Sequence, residues 1–172
     1  MAKTVHAKSR GAGSLAAVPA LPAVPRAHVV AYTLAALIAL GGLADAVYLS
    51  VQALTGETLT CGGSPDCFRV LGSAYARVAG LPVAGFGALA YFAAFGFATF
   101  AAFGHRRARA GFALTAGAMF VGTLWFLFVQ AVLLHAYCRY CLLSAAATFL
   151  LAGLAVSLPG AFKREERKTP GE

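Results

Sequence analysis

Four long apolar runs limit what this chain can fold into. They cover about residues 29–53, 82–103, 109–135 and 138–162. Each meets the roughly 20 residues that a helix needs to cross a hydrocarbon layer about 30 Å thick. No water reaches backbone N–H and C=O groups inside such a layer, so each run has to be helical. Of 172 residues, 60% are hydrophobic and only 12% are charged, whereas soluble domains carry about 25% charged residues. A soluble core of this length cannot bury so much apolar surface. The fold class is therefore an all-α integral membrane protein built as a four-transmembrane-helix bundle, with no length left for a separate soluble domain.

The net charge of +8 would suit nucleic acid only if the basic residues formed a patch. They instead flank the apolar runs. Lys3, Lys8, Arg10 and Arg26 precede the first, Arg106, Arg107 and Arg109 fill the second break, and Lys163, Arg164, Arg167 and Lys168 follow the fourth. The opposite side holds only Arg69, Arg77 and Arg139. The positive-inside rule puts both termini in the cytoplasm and the opposite side in the periplasm or its equivalent. Residues 1–28 read as a disordered basic tail, because Pro19, Pro22 and Pro25 interrupt any helix or signal-peptide core. Residues 29–162 form the membrane domain and 163–172 a second cytoplasmic tail.

On that topology all four cysteines, Cys61, Cys67, Cys138 and Cys141, lie at the outer surface. Thiols in an oxidising compartment pair or turn over. The outer loop, 54–81, carries a helix start at Ser64-Pro65-Asp66 and a stop at Gly80 and Pro82. Between them Phe68, Leu71, Tyr75 and Val78 recur at helical spacing, with Arg69, Ser73 and Arg77 as a polar stripe. This pattern predicts an amphipathic surface helix roofing the outer end of the bundle. Cys67 falls in its first turn and Cys138 at the start of the fourth span, and a helix N-terminus favours a thiolate at both places.

Three chemistries compete for these cysteines. A four-thiolate zinc site would pair Cys138-x-x-Cys141 with an unusual C-x5-C half and would need reduced thiols. Two inert disulfides would make the protein a stapled scaffold, although a C-x-x-C loop is too small to stabilise much by chain entropy. Small strained loops are more often redox-active.

The ordered combination of "C-x5-C", "V-L-G-S-x-Y-A-x-x-x-G-L-P", "G-x-x-x-Y" and "C-x-Y-C", with Asp45 and "YLS" late in the first span, resembles the vitamin K epoxide reductase family in its bacterial branch, over about residues 29–158. The DsbB family, also four-span and quinone-coupled, carries its cysteine pairs in the reverse order. The resemblance implies a thiol–disulfide oxidoreductase of the bacterial inner or cell membrane. In it a thioredoxin-like or DsbA-like partner outside the cytoplasm passes electrons to Cys61 and Cys67. These two reduce Cys138–Cys141, and Cys141 faces a quinone, menaquinone or ubiquinone, as acceptor. By family position Cys61 meets the partner and Cys67 exchanges with Cys138. No metal is expected. The chain ends soon after its fourth span, so the partner is expected to be a separate protein.

The residues assigned to holding or supporting the quinone are Leu71, Ser73, Val83, Tyr91, Ala145 and Asp45. Val83 and Ala145 stand where animal members carry an asparagine and a tyrosine, so the resemblance does not extend to those hydrogen bonds or to epoxide reduction. Asp45 is an acid inside an apolar span, where function and helix packing are the competing explanations. His135 is read as a solvated interfacial side chain rather than a proton shuttle, and Trp125 and Gln130 as packing and interhelical hydrogen bonding. The alternative to the enzyme is a non-enzymatic membrane scaffold, disulfide-stapled or zinc-binding.

Overall fold

The computed structural model describes residues 26–55, 65–78 and 80–158. Both expected tails lie outside that set except for residues 26–28. So do Cys61, the Gly62-Gly63 pair, Ser64 and the end of the fourth run. The elements are α1 (Arg26–Thr55), α2 (Pro65–Leu71), a 3-10 turn (Ala74–Ala76), β1 (Arg77–Val78), β2 (Leu81–Pro82), α3 (Val83–Ala102), α4 (Arg106–Phe128), a π-helical turn (Val129–Leu134) and α5 (Arg139–Ser157). Helices α1, α3, α4 with its π turn, and α5 are each long and apolar enough to cross a membrane. The four-span bundle is as read from the sequence. Arg26 to His28, assigned to the tail, are instead the first turn of α1.

Small residues dominate the interior. Ala35, Ala39, Ala94, Ala98, Ala101 and Ala116 are almost fully buried, around the larger Tyr32, Tyr91, Phe112 and Leu151. Leu37, Leu89, Phe92, Leu114, Leu150 and Val156 point outward. This inversion is what a bilayer selects: apolar side chains gain nothing by leaving lipid, so helices associate through small residues that let backbones approach. Several hydroxyls within the spans return to their own helix. Thr33, Ser50, Thr99 and Ser157 each donate to the carbonyl four residues back, at 2.7–2.8 Å.

The outer segment departs from the sequence reading. The amphipathic helix is only two turns long. Gly72 N–H closes the last α-type bond on Phe68 O at 2.9 Å, and Ser73 then turns back on Val70 O through both its N–H (3.3 Å) and its hydroxyl (2.8 Å). A serine side chain that captures a helix carbonyl competes with helix continuation. The segment goes on as a 3-10 turn and a hairpin with Val78 opposite Leu81. Gly80, expected to stop a helix, sits in that hairpin turn at φ 82°. The break splits the expected apolar stripe: Leu71 faces inward, while Phe68, Tyr75 and Val78 are exposed.

One glycine of the Gly41-Gly42 pair fixes a crossing. A Cβ on Gly42 would overlap the ring of Tyr91, whereas one on Gly41 would meet nothing within 4 Å. The two therefore make a controlled comparison. Gly42→Ala is expected to lower the unfolding free energy by about 1–3 kcal/mol through overpacking. Gly41→Ala is expected to leave it unchanged or raise it slightly, since alanine is the better helix former. Equal effects in denaturant unfolding in detergent would show that Tyr91 does not rest on Gly42.

Candidate redox centre and its cavity

A second buried cluster joins the outer segment to the bundle: Cys67, Val70, Val129, Leu134, Ala136 and Cys138, flanked by Leu71, Tyr140 and Cys141. Within it Cys67 Sγ lies 3.5 Å from Cys138 Sγ, and both side chains are fully buried, at 0% exposure. Cys67 is disulfide-bonded, while Cys138 and Cys141 are free thiols. Cys61, the remaining cysteine of the sequence, lies outside the described residues. Separations of about 3–3.5 Å are those from which reacting atoms proceed.

The end of α4 puts Cys138 there. The helix loosens into the π turn Val129–Leu134, a rare geometry concentrated at functional sites. The chain then leaves through His135, the only described non-glycine residue with positive φ (49°). Gln130 holds both ends of this exit. Its backbone oxygen accepts from Ala136 N–H at 3.2 Å, and its Oε1 accepts from Cys138 N–H at 3.1 Å. With 1% exposure, Gln130 replaces the water that this N–H would otherwise need. Gln130 was read as an interhelical hydrogen-bonding residue; its structural place is to fix the redox loop. Trp125, read as packing, is 56% exposed and stacks on Phe128 at the bundle's outer face.

Cys138 is the N-cap of α5, with extended backbone and its sulfur accepting from Cys141 N–H at 3.4 Å. The Cys138 thiol is lowered from its ordinary value of 9.0 to about 7. The Cys141 side chain, hydrogen-bonded to it, contributes most, and the backbone N–H groups of Cys141 and Tyr140 add to this; burial and the Asp45 carboxylate oppose it. Cys138 is therefore part thiolate near neutral pH and can both attack and leave.

Below this cluster lies a cavity of about 610 Å³, within the range of small-molecule sites. Cys141, Leu71, Val83, Tyr91 and Ala145 all line it, and none of its lining residues is charged. Helical spacing puts Cys141, Ser144, Ala145 and Thr148 on one face of α5. Cys138 thus faces Cys67 while Cys141 faces the cavity. The cavity does not include Ser73 or Asp45. Ser73 caps the end of α2. Asp45 is half-buried, and its Oδ2 has no hydrogen-bond partner among the described residues. The sequence reading missed Ser144 and Thr148, whose hydroxyls meet Tyr91 OH at 3.0 Å each. The signal was available in the helical spacing of both from Cys141.

Three outcomes follow from the Cys138 environment. Gln130→Leu leaves a buried N–H unsatisfied, which is expected to cost about 1–3 kcal/mol and to slow exchange between Cys67 and Cys138. Thiolate ultraviolet absorbance should rise with a midpoint of about pH 7, and Cys138→Ser should remove that step. Because the folded state depresses this thiol, stability should increase with pH between about 7 and 9 and be lost as pH falls through the lower value. A single midpoint at the ordinary thiol value would contradict the assigned hydrogen bonds.

None of the curated proteins compared with the chain matches it. Among protein-family models, that of the vitamin K epoxide reductase family matches residues 33–156, a stretch that includes α3 and α4, most of α1 and α5, and every described cysteine. With Cys67 against Cys138 and Cys141 against an apolar cavity, the chain belongs to the vitamin K epoxide reductase family, an oxidoreductase family.

Proposed function

We propose that this protein generates disulfides outside the cytoplasm, passing electrons from a thioredoxin-like partner through two cysteine pairs to a membrane quinone. The observation that carries this reading is the 3.5 Å approach of the Cys67 and Cys138 sulfurs, with Cys141 lining the cavity. The relay balances step by step. Two electrons and two protons enter when the partner's dithiol reduces the Cys61–Cys67 disulfide. The Cys67 thiolate attacks Cys138 Sγ, forming Cys67–Cys138 and breaking Cys138–Cys141, with Cys141 leaving as thiolate. Cys61 then attacks Cys67, re-forming the loop disulfide and releasing Cys138. Cys138 and Cys141 are now both reduced, with Cys141 on the cavity, and their reoxidation sends two electrons and two protons to the acceptor.

The pairing present, with Cys67 disulfide-bonded and Cys138 and Cys141 free, corresponds to the stage at which the C-x-x-C holds the electrons. The quinone supplies an apolar ring able to take up that electron pair from within the membrane. An uncharged cavity next to Cys141 suits such a ring. Phe86 and Leu114 both line the cavity and are exposed on the bundle flank, so an apolar tail has an exit to lipid between α3 and α4. In this reading the termini are cytoplasmic and Cys61 meets the partner. A four-thiolate zinc scaffold fits less well, because it requires Cys67 as a thiolate rather than in a disulfide.

Purified protein with a quinone should oxidise a reduced thioredoxin-like protein in multiple turnovers. Cys61→Ala removes the group that resolves the exchange intermediate, so non-reducing mass mapping should find a Cys67–Cys138 link accumulating. Cys141→Ala should abolish quinone reduction. Failure of the intact chain to oxidise any thioredoxin-like dithiol with quinone present would sink the enzyme reading.

A further inference from the structure

The cavity lining is mostly apolar; Thr115, Thr123 and Gln130 are scattered polar members, and three hydroxyls form a joined cluster. Tyr91 reaches from α3 across to α5, where its O–H donates to the Ser144 carbonyl at 2.8 Å. The same oxygen lies 3.0 Å from Ser144 Oγ and 3.0 Å from Thr148 Oγ1. Thr148 Oγ1 also donates to the Ser144 carbonyl, at 3.1 Å. The α-helical ladder already directs the Thr148 N–H at that carbonyl. Three donors thus converge on an oxygen with two lone pairs. That carbonyl keeps a donor even when one hydroxyl leaves it. Turning one hydroxyl into the cavity strips no acceptor of its last partner.

Tyr91, Ser144 and Thr148 all line the cavity. Cys141 stands one turn before Ser144 on the same face of α5, about 5 Å along the axis. A flat ring with an oxygen on the hydroxyl cluster therefore lies beside the Cys141 sulfur. We infer that the Tyr91–Ser144–Thr148 hydroxyl cluster is the anchor for a carbonyl oxygen of the ligand, taking the place of the donors that Val83 and Ala145 cannot supply. This assignment rests on the quinone reading above and adds to it the groups that recognise the dione. The absence of charge in the lining selects a neutral acceptor, because a charged ligand would enter without a counter-charge. Gly42 belongs to the same device, since it makes the room on α1 in which the Tyr91 ring sits.

The test separates recognition from turnover. In lipid nanodiscs, the Cys141→Ala protein cannot complete the redox step, so equilibrium binding can be read alone. The probes are menadione and 2-methylnaphthalene, which share a ring skeleton and differ in the two carbonyl oxygens. Adding Thr148→Val or Tyr91→Phe should raise the menadione Kd about tenfold, as expected for one lost hydrogen bond. The 2-methylnaphthalene Kd should move less than about twofold, because apolar contacts are unchanged. Equal weakening of both ligands would mean that the hydroxyls only hold the cavity's shape, and no change in either, or no menadione binding at all, would equally overturn the assignment. Turnover of the Cys141-containing chain distinguishes the two claims. Hydroxyl-dependent binding without quinone reduction would support the anchor and defeat the redox reading. Quinone reduction with hydroxyl-independent binding would defeat the anchor alone.

Discussion

The bond from Cys138 N–H to Gln130 Oε1 is the interaction on which the redox centre depends. Cys138 lies where α4 has ended and α5 has not begun, so its backbone N–H has no helical partner of its own. Burial denies it water. The π turn brings Gln130 inward, and one side chain then satisfies the loop that carries the sulfur. With that loop fixed, Cys138 can act as N-cap to α5 and stand against Cys67 at once. A regular α-helical exit would rotate the residues after Phe128 and lose this register. The cost of a looser helix turn is offset by the position it gives a single sulfur atom.

A second constraint comes from the membrane. Helices gain little from burying leucine or phenylalanine against one another, so the interior is mostly alanine around a few large side chains, and most large side chains face lipid. Such a bundle packs closely where small residues meet and leaves space where they do not. The cavity is one such space, beneath the outer segment. Tyr91 is the exception that crosses the interior, and its hydroxyl cannot be left bare in an apolar surrounding. Partners on α5 answer that need. The same grouping sets a polar feature beside Cys141, so one solution to a burial problem also marks where a ligand oxygen belongs.

Much of this was legible in the sequence because it depends on counting and spacing. Run length gives four spans, and the C-x-x-C at the head of the last run places Cys138 and Cys141 at a helix start. The outer segment was less legible. Phe68, Leu71, Tyr75 and Val78 fit one helical face only if the helix continues, and the Ser73 hydroxyl, capturing the Val70 carbonyl, ends it. A polar stripe read the same serine as surface. The partner of Gln130, and that of Thr148 despite its legible spacing from Cys141, were hidden for another reason. A single polar residue in an apolar run has the same local pattern whether it bonds a neighbouring helix or a loop. Only the π turn and the Tyr91 crossing, both tertiary, distinguish those cases. Gly41 and Gly42 likewise look equivalent in sequence, although just one lies against a ring.

The two sulfurs of the C-x-x-C have different neighbours, and this difference makes the motif more than a disulfide. Cys138 is closed off beside Cys67 and sits at the positive end of α5, where a thiolate is favoured. Cys141 is one turn inside the helix and opens onto the cavity. A water-exposed C-x-x-C would present both sulfurs to the same phase. Here the helix start separates them, so one sulfur stands against Cys67 and the other against the cavity; the proposed relay would use the two sides for different partners. Asp45 adds an asymmetry of its own: its carboxylate opposes the Cys138 thiolate, tempering the helix end that favours it. A thiolate stabilised too far would be a good leaving group but a weak nucleophile. In the proposed relay, exchange in both directions at Cys138 would call for the intermediate poise that these opposing groups produce.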